Sequence, residues 1–262
     1  MKKPIIAFTI ADETNLPYAK LFINSLRKFH SEEELPLKLY GPEEIKDLAR
    51  DPNFFYRATP QIAKDLIKEY DTVLKFDCDQ LVLGDLKHIL SLKDYDAGVV
   101  YNLNRVDPPM YGEVGLATIA PSEYFNNGFV AIKSEAFVKH WWKLCNVGHF
   151  QRMPYREQGF LNILGHYGDY KVRCFDDYDP VYGYSAWHGL RAKGEGMKMK
   201  VHDGKVILPK SEDGYPDRDK EIKLYHWGGG NTPNKLNYRT VFSDEVVEFI
   251  DGLVKEDGKK EA

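Results

Sequence analysis

The chain is short of cysteine, of long apolar runs and of net positive charge, and each shortage closes off a class of function. Its three cysteines, Cys78, Cys145 and Cys174, form an odd count with no paired spacing, which argues against a disulfide framework. No stretch approaches the ~20 apolar residues that span a bilayer. The start, MKKPIIAFTIADET, is basic, but its apolar run is brief and is broken by Asp12 and Glu13, unlike a secretory leader. These features predict a soluble, reduced, cytoplasmic protein. Acidic residues outnumber basic ones 40 to 36, a net charge of −4, so no general nucleic-acid-binding face is expected. No internal repeat is present. What the chain does have is 43% apolar against 29% charged residues, the balance of a globular protein. Its 262 residues are enough for a substantial core. The 17 tyrosines and 4 tryptophans suit stacking on sugars or bases, and suit a well-filled core equally.

Periodicity orders the elements. PIIAFTIA (4–11) is a β-rich apolar run. After it, Leu16, Ala19, Phe22, Ile23 and Leu26 recur at helical spacing. LPLKLYG is a strand closed by Gly41-Pro42, and PEEIKDLAR a short helix with acids in its first turn. TPQIAKDLIKEY predicts a helix with Thr59 as N-cap and Pro60 at the first helical position. DTVLKFD is a third strand. YDAGVVYN and YFNNGFVAIKS read as strands, the second entered through Asn-Asn-Gly, and SEAFVKHWWKLCN as a helix capped by Ser134. The order β-α-β-α-α-β predicts an α/β fold with a mostly parallel central sheet flanked by helices. The segment 176–219 is irregular, with a hairpin expected at Asp203-Gly204. Residues 1–250 are read as one domain and 251–262 as a polar tail.

The stretch LKFDCDQLVLGDL (74–86) carries the first chemical signal. Asp77 and Asp79 follow an apolar strand, and residues i and i+2 of a strand share a face. Both carboxylates would stand at the C-terminal tip of the strand, where open α/β sheets bind ligands. Two like charges so close need something positive between them: a metal ion, a lysine or solvent.

Three further stretches follow in order: YFNNGFVAIKS, YREQGFLNIL and YHWGGGNTPNK. With FTIADETNLPYAKLFINSL and EYDTVLKFDCDQLVLGDL, they resemble the GT-A nucleotide-sugar glycosyltransferases, and most closely the glycogenin-like retaining family 8. The resemblance runs from about residue 4 to residue 240. It implies a Rossmann-like nucleotide-binding half with an acceptor-side elaboration at 176–219. The implied activity is hexosyl transfer from a nucleoside-diphosphate sugar, a UDP-sugar first among them, to a glycan or other hydroxyl-bearing acceptor, with retention. It also implies Mn²⁺ (or Mg²⁺) held by Asp77, Asp79 and His226. The chemistry agrees, because a divalent cation stabilises the departing diphosphate, and carboxylates with one imidazole favour Mn²⁺.

By the same resemblance, Thr9, Ala11 and Asp12 would hold the nucleoside, and Asp77 the ribose as well as the metal. Lys64 would reach the donor, although a solvated helix face explains it as well. Asn126 and Asn127 would lie beside the donor sugar, unless they form a turn. Gly229, in the triple glycine, would let backbone N–H groups approach phosphate. Lys235 would contact phosphate, but it follows the histidine by nine residues (235 − 226) and not by the family's six. Cys78 belongs to the donor set by its place in the motif, while alternation turns its side chain away. Gln158, Glu157 and Asn127 form the catalytic set; Glu157 stands where the family has aspartate and could instead cap a helix. Trp187 and His188 are candidates for an acceptor platform.

Two other readings compete. KFDCDQLVL also resembles the opening motif of haloacid-dehalogenase-type phosphatases, and CFDDYDP could supply further Mg²⁺ ligands. That family's nucleophile follows its first strand, however, and a hydroxyl residue is missing shortly after Asp79. The other is a GT-A-shaped protein that binds nucleotide or glycan without turnover.

Overall fold

The structure, a computed structural model, describes residues 2–46, 54–102, 119, 123–147, 153, 156–177, 184–185, 199–210, 218–226 and 242–255. In chain order the elements are β1 (Lys3–Ile10), α1 (Leu16–Phe29), β2 (Leu37–Tyr40), α2 (Pro42–Ile45), α3 (Phe54–Leu66), β3 (Tyr70–Asp77), β4 (Gln80–Val82), α4 (Lys87–Ser91), β5 (Ala97–Tyr101) and β6 (Phe125–Ile132). There follow α5 (Glu135–Cys145), α6 (Arg156–Tyr167), β7 (Val172–Cys174), β8 (Tyr184–Ser185), β9 (Lys200–His202), β10 (Lys205–Leu208), β11 (Lys220–Glu221), β12 (Leu224–His226) and α7 (Asp244–Lys255).

The central sheet has the order β2-β1-β3-β6-β5-β7. Five strands run one way, and β6 is antiparallel to both of its neighbours. Side-chain alternation divides the core between the two faces of this sheet. Ile6, Phe8, Val73 and Val130 pack with Ala58 and Ile62 of α3, Trp141 of α5 and Phe160 of α6. Ala7, Leu74, Phe76 and Phe129 pack with Phe22 and Leu26 of α1. Each large apolar side chain buried this way contributes about 2 kcal/mol. A second sheet, β11-β10-β9, shares a third cluster with Val246, Val247 and Ile250 of α7. A third, β4-β12-β8, carries His226 back to the tip of β3.

The expected elements are present, α2 covering Pro42–Ile45 of the PEEIKDLAR helix, whose residues 47–50 lie outside the described residues, and two boundaries are corrected. Helix α3 begins at Phe54, so Pro60 lies inside it and Thr59 is no cap. Burial of Ala58, Thr59, Ile62 and Ala63 outweighs the ~3 kcal/mol that an internal proline costs. Helix α7 runs to Lys255, so residues 251–255, read as tail, are helical. The hairpin is where its sequence put it: Asp203 and Gly204 both have positive φ, 50° and 71°, as its two-residue turn demands. Ser134 caps α5, its Oγ accepting from the N–H of Phe137 at 3.2 Å. None of the three cysteines is in a disulfide. Among the described residues no helix is long and apolar enough to cross a membrane.

Candidate metal and donor site

Strands β1 and β3 end side by side, with Ile10 in register with Asp77. The loop after β1 therefore opens beside the first aspartate. Thr9 and Ala11 are fully buried there, and Thr9 Oγ1 has no hydrogen-bond partner among the described residues. Asp12 closes the turn into α1, its Oδ1 accepting from both the N–H and the side-chain amide of Asn15 at 2.8 Å. Strand β3 ends at Asp77, as DTVLKFD predicts. Asp79 leads into β4, which α1 secures: Ser25 Oγ accepts from the N–H of Val82 at 3.0 Å.

His226 arrives by strand pairing. β12 is antiparallel to β4 with His226 opposite Gln80, which sets the imidazole beside an aspartate 147 residues earlier. Its Nε2 is 3.3 Å from Asp77 Oδ2 and 3.2 Å from Asp79 Oδ1. One ligand atom from each of the three lies within 4.8 Å of the others. Gly128 makes room, since a Cβ there would come within 2.5 Å of His226 Cε1. The Asn-Asn-Gly stretch is thus part of strand β6 and not a turn, and its glycine is needed for close approach.

Charge governs this cluster. Burial would raise the Asp77 pKa, but Lys75 and His226 outweigh it and hold the carboxyl well below its usual range. Burial would lower that of His226, yet Asp79 and Asp77 lift it to about 9. Lys75, bonded to Asp77, thus supplies one of the positive charges that the paired carboxylates call for. Two hard oxygen donors and one imidazole, convergent and with Asp77 still 33% open, fit a divalent cation such as Mn²⁺.

A second set of groups adjoins the first. Asn127 donates from its side-chain amide to Glu157 Oε1 at 2.7 Å, and from its backbone to Gln158 Oε1 at 3.1 Å. Glu157 and Gln158 are buried in the first turn of α6. The chain enters that helix through Arg156 at φ 50°, a left-handed conformation that costs a non-glycine residue about 1–2 kcal/mol. Trp141 Nε1 donates to the Glu157 carbonyl at 2.9 Å. Burial pushes the Glu157 carboxyl up to about 8, and its Oε2 has no hydrogen-bond partner among the described residues. Asn126 donates to Asn102 Oδ1 at 3.2 Å and accepts from the N–H of Gly128 at 2.6 Å.

The predicted residues Thr9, Ala11, Asp12, Asp77, Cys78, Asp79, Asn126, Asn127, Glu157, Gln158 and His226 all lie on the elements that converge at this end of the sheet. Cys78 is half-buried between the aspartates. Lys64 stands on α3 with its ammonium 3.4 Å from the centre of the Trp142 ring. Gly229, Lys235, Trp187 and His188 lie outside the described residues.

The residues that sequence reasoning missed are Lys75, Gly128, Asn102 and Asn162. Lys75, 3% exposed, donates to Asp77 Oδ1 and, at 2.5 Å, to the Asn127 carbonyl. Its signal was available, because alternation puts residues 75 and 77 on one face.

No known sequence family matches the chain, and no curated protein matches it in sequence. Its fold does have relatives among solved structures. The bifunctional glycosyltransferase WbbM superposes with a TM-score of 0.63 at 12% identity, covering 97% of this chain and 50% of that one. The chain thus spans half the length of WbbM. The galactosyltransferase LgtC, solved with donor and acceptor sugar analogues, gives 0.57 at 16% identity over 96% of both chains. GlyE of Streptococcus pneumoniae gives 0.53 at 16%, covering 98% of this chain and 64% of that one. The architecture is the GT-A fold of these glycosyltransferases.

Proposed function

We propose that the protein is a metal-dependent glycosyltransferase that moves a hexosyl unit from a nucleoside-diphosphate sugar, with a UDP-sugar the favoured donor, to an acceptor hydroxyl with retention. The observation that carries this reading is the meeting of Asp77, Asp79 and His226 at the C-terminal end of the parallel strands. Nucleotide sites lie at that end of open α/β sheets. Asp77, Asp79 and His226 would hold Mn²⁺ or Mg²⁺, which would offset the charge of the departing diphosphate. Thr9 and Ala11 would line the nucleoside side, with Gly229 and Lys235 toward phosphate. Asn126 and Asn127 would face the donor sugar, and Asn127 would fix the orientation of Glu157 and Gln158. Gln158, its Oε1 held by a backbone N–H, would sit beside the anomeric carbon, opposite the leaving group. A glycan or other hydroxyl-bearing acceptor would enter near the segment 176–219.

The phosphatase reading is weaker on these contacts. A nucleophilic aspartate needs an accessible oxygen, and Lys75 and His226 each engage one oxygen of Asp77. Thermal unfolding with UDP, GDP, CDP and TDP, each with Mn²⁺ and again with EDTA, tests the donor-site reading. Ligand at 100 times Kd adds about 2.7 kcal/mol, roughly 5 to 10 °C for a chain of this size. One nucleotide should produce that shift, and EDTA or Asp79→Ala should abolish it. No metal-dependent shift with any of the four would overturn the assignment.

A further inference from the structure

Lys75 is the one buried cation that bridges the two halves of the site among the described residues. It sits in the apolar stretch Val73–Phe76 of β3, pointing to the α3/α5/α6 side of the sheet, where Val73 also packs. One N–H engages Asp77 Oδ1, and another meets the Asn127 carbonyl. Asn127 in turn holds Glu157 and Gln158. The hydrogen-bonded chain therefore runs from His226 through Asp77, Lys75 and Asn127 to both side chains of α6.

We propose that Lys75 is a positioning residue that joins the metal half of the site to the sugar half and keeps affinity for free divalent cation low until a diphosphate is present. With Oδ1 engaged by the ammonium, Asp77 has only Oδ2, the atom facing His226, to offer a cation. With His226 neutral, as ligation to a cation requires, two aspartates and one lysine give the cluster a formal charge of −1 rather than −2. A free divalent cation thus meets weaker attraction and a like charge across Asp77. A diphosphate brings negative charge of its own and reverses that balance. Binding of the two is then mutually reinforcing, by the same factor in either order.

This inference rests on the donor-site reading above, and its test separates the two. Mn²⁺ is titrated into wild type, Lys75→Met, Lys75→Gln and Lys75→Arg, with and without UDP, following the free-ion electron paramagnetic resonance signal. Both neutral variants should bind Mn²⁺ alone about tenfold tighter than wild type, since one opposing charge is gone. UDP should then tighten Mn²⁺ by a smaller factor than in wild type, and Lys75→Arg should behave as wild type does. A merely structural lysine would give the opposite sign, because a loosened Asp77 binds metal more weakly. Unchanged or weaker Mn²⁺ binding in whichever neutral variant folds, with wild type showing coupling, would overturn the role of Lys75 alone. Wild type that binds Mn²⁺ neither alone nor with UDP would overturn the donor site together with it.

Discussion

Glu157 is held from three sides: Asn127 on Oε1, Trp141 on its carbonyl and the first turn of α6 beneath it. Because burial lifts its carboxyl from 4.5 to about 8, the native state retains a proton that the unfolded chain releases. Below 4.5 both states are protonated and the group does not alter stability with pH. Between 4.5 and about 8 the unfolded state binds fewer protons, so stability falls as pH rises, by up to about 1.4 kcal/mol per unit. Glu157→Gln keeps the acceptor for Asn127 and removes the titration. In urea unfolding with EDTA, the variant should gain on wild type steadily from about pH 5 to about pH 8. A pH-independent difference would show that Glu157 is ionised in the folded protein. At this scale the sequence was partly legible. Asp77 and Asp79 were found because strand alternation needs only their spacing. The same rule pointed to Lys75, but lysines usually carry their charge to water, and a buried one is not expected without its partners in view.

Asn162 fastens helix α6 to strand β6, beyond the bonds that Asn127 makes to Glu157 and Gln158. Asn162 Oδ1 accepts from the N–H of Phe125 at 2.7 Å, and its amide donates to the carbonyls of Phe125 and Gln158 at 2.9 Å. The residue is fully buried, so loss of its amide strands backbone groups away from water. Asn162→Leu should destabilise the protein by roughly 3 kcal/mol, read as a lower urea midpoint. A loss under about 1 kcal/mol would mean that α6 is held by its apolar packing. Most elements were legible, since period and caps are local signals. The start of α3 was not, because Thr59-Pro60 reads as a helix entry and only tertiary burial of Ala58 and Ile62 overrides it. Nor was the pairing of β12 with β4. Three-residue strands separated by well over a hundred residues leave no periodic trace, and His226 was reached through resemblance alone.

The molecule as a whole has the fold of the solved glycosyltransferases described above while sharing only 12–16% of its residues with them, and it gathers Asp77, Asp79 and His226 at the C-terminal end of its parallel strands. That pattern is expected when the order of elements fixes the fold and a few side chains fix the chemistry. The parallel half was therefore legible from element order. The segment 176–219, expected on the acceptor side, was not, because much of its sequence is irregular and without a period. The most direct measurement is release of nucleoside diphosphate from UDP-, GDP-, CDP- and TDP-hexoses in the presence of Mn²⁺. The account predicts release from one nucleotide series, loss of it in EDTA, and a fall of at least about a hundredfold in Asp79→Ala. Binding without release would leave a silent GT-A-shaped binder, and release indifferent to EDTA and to Asp79→Ala would contradict the metal site itself.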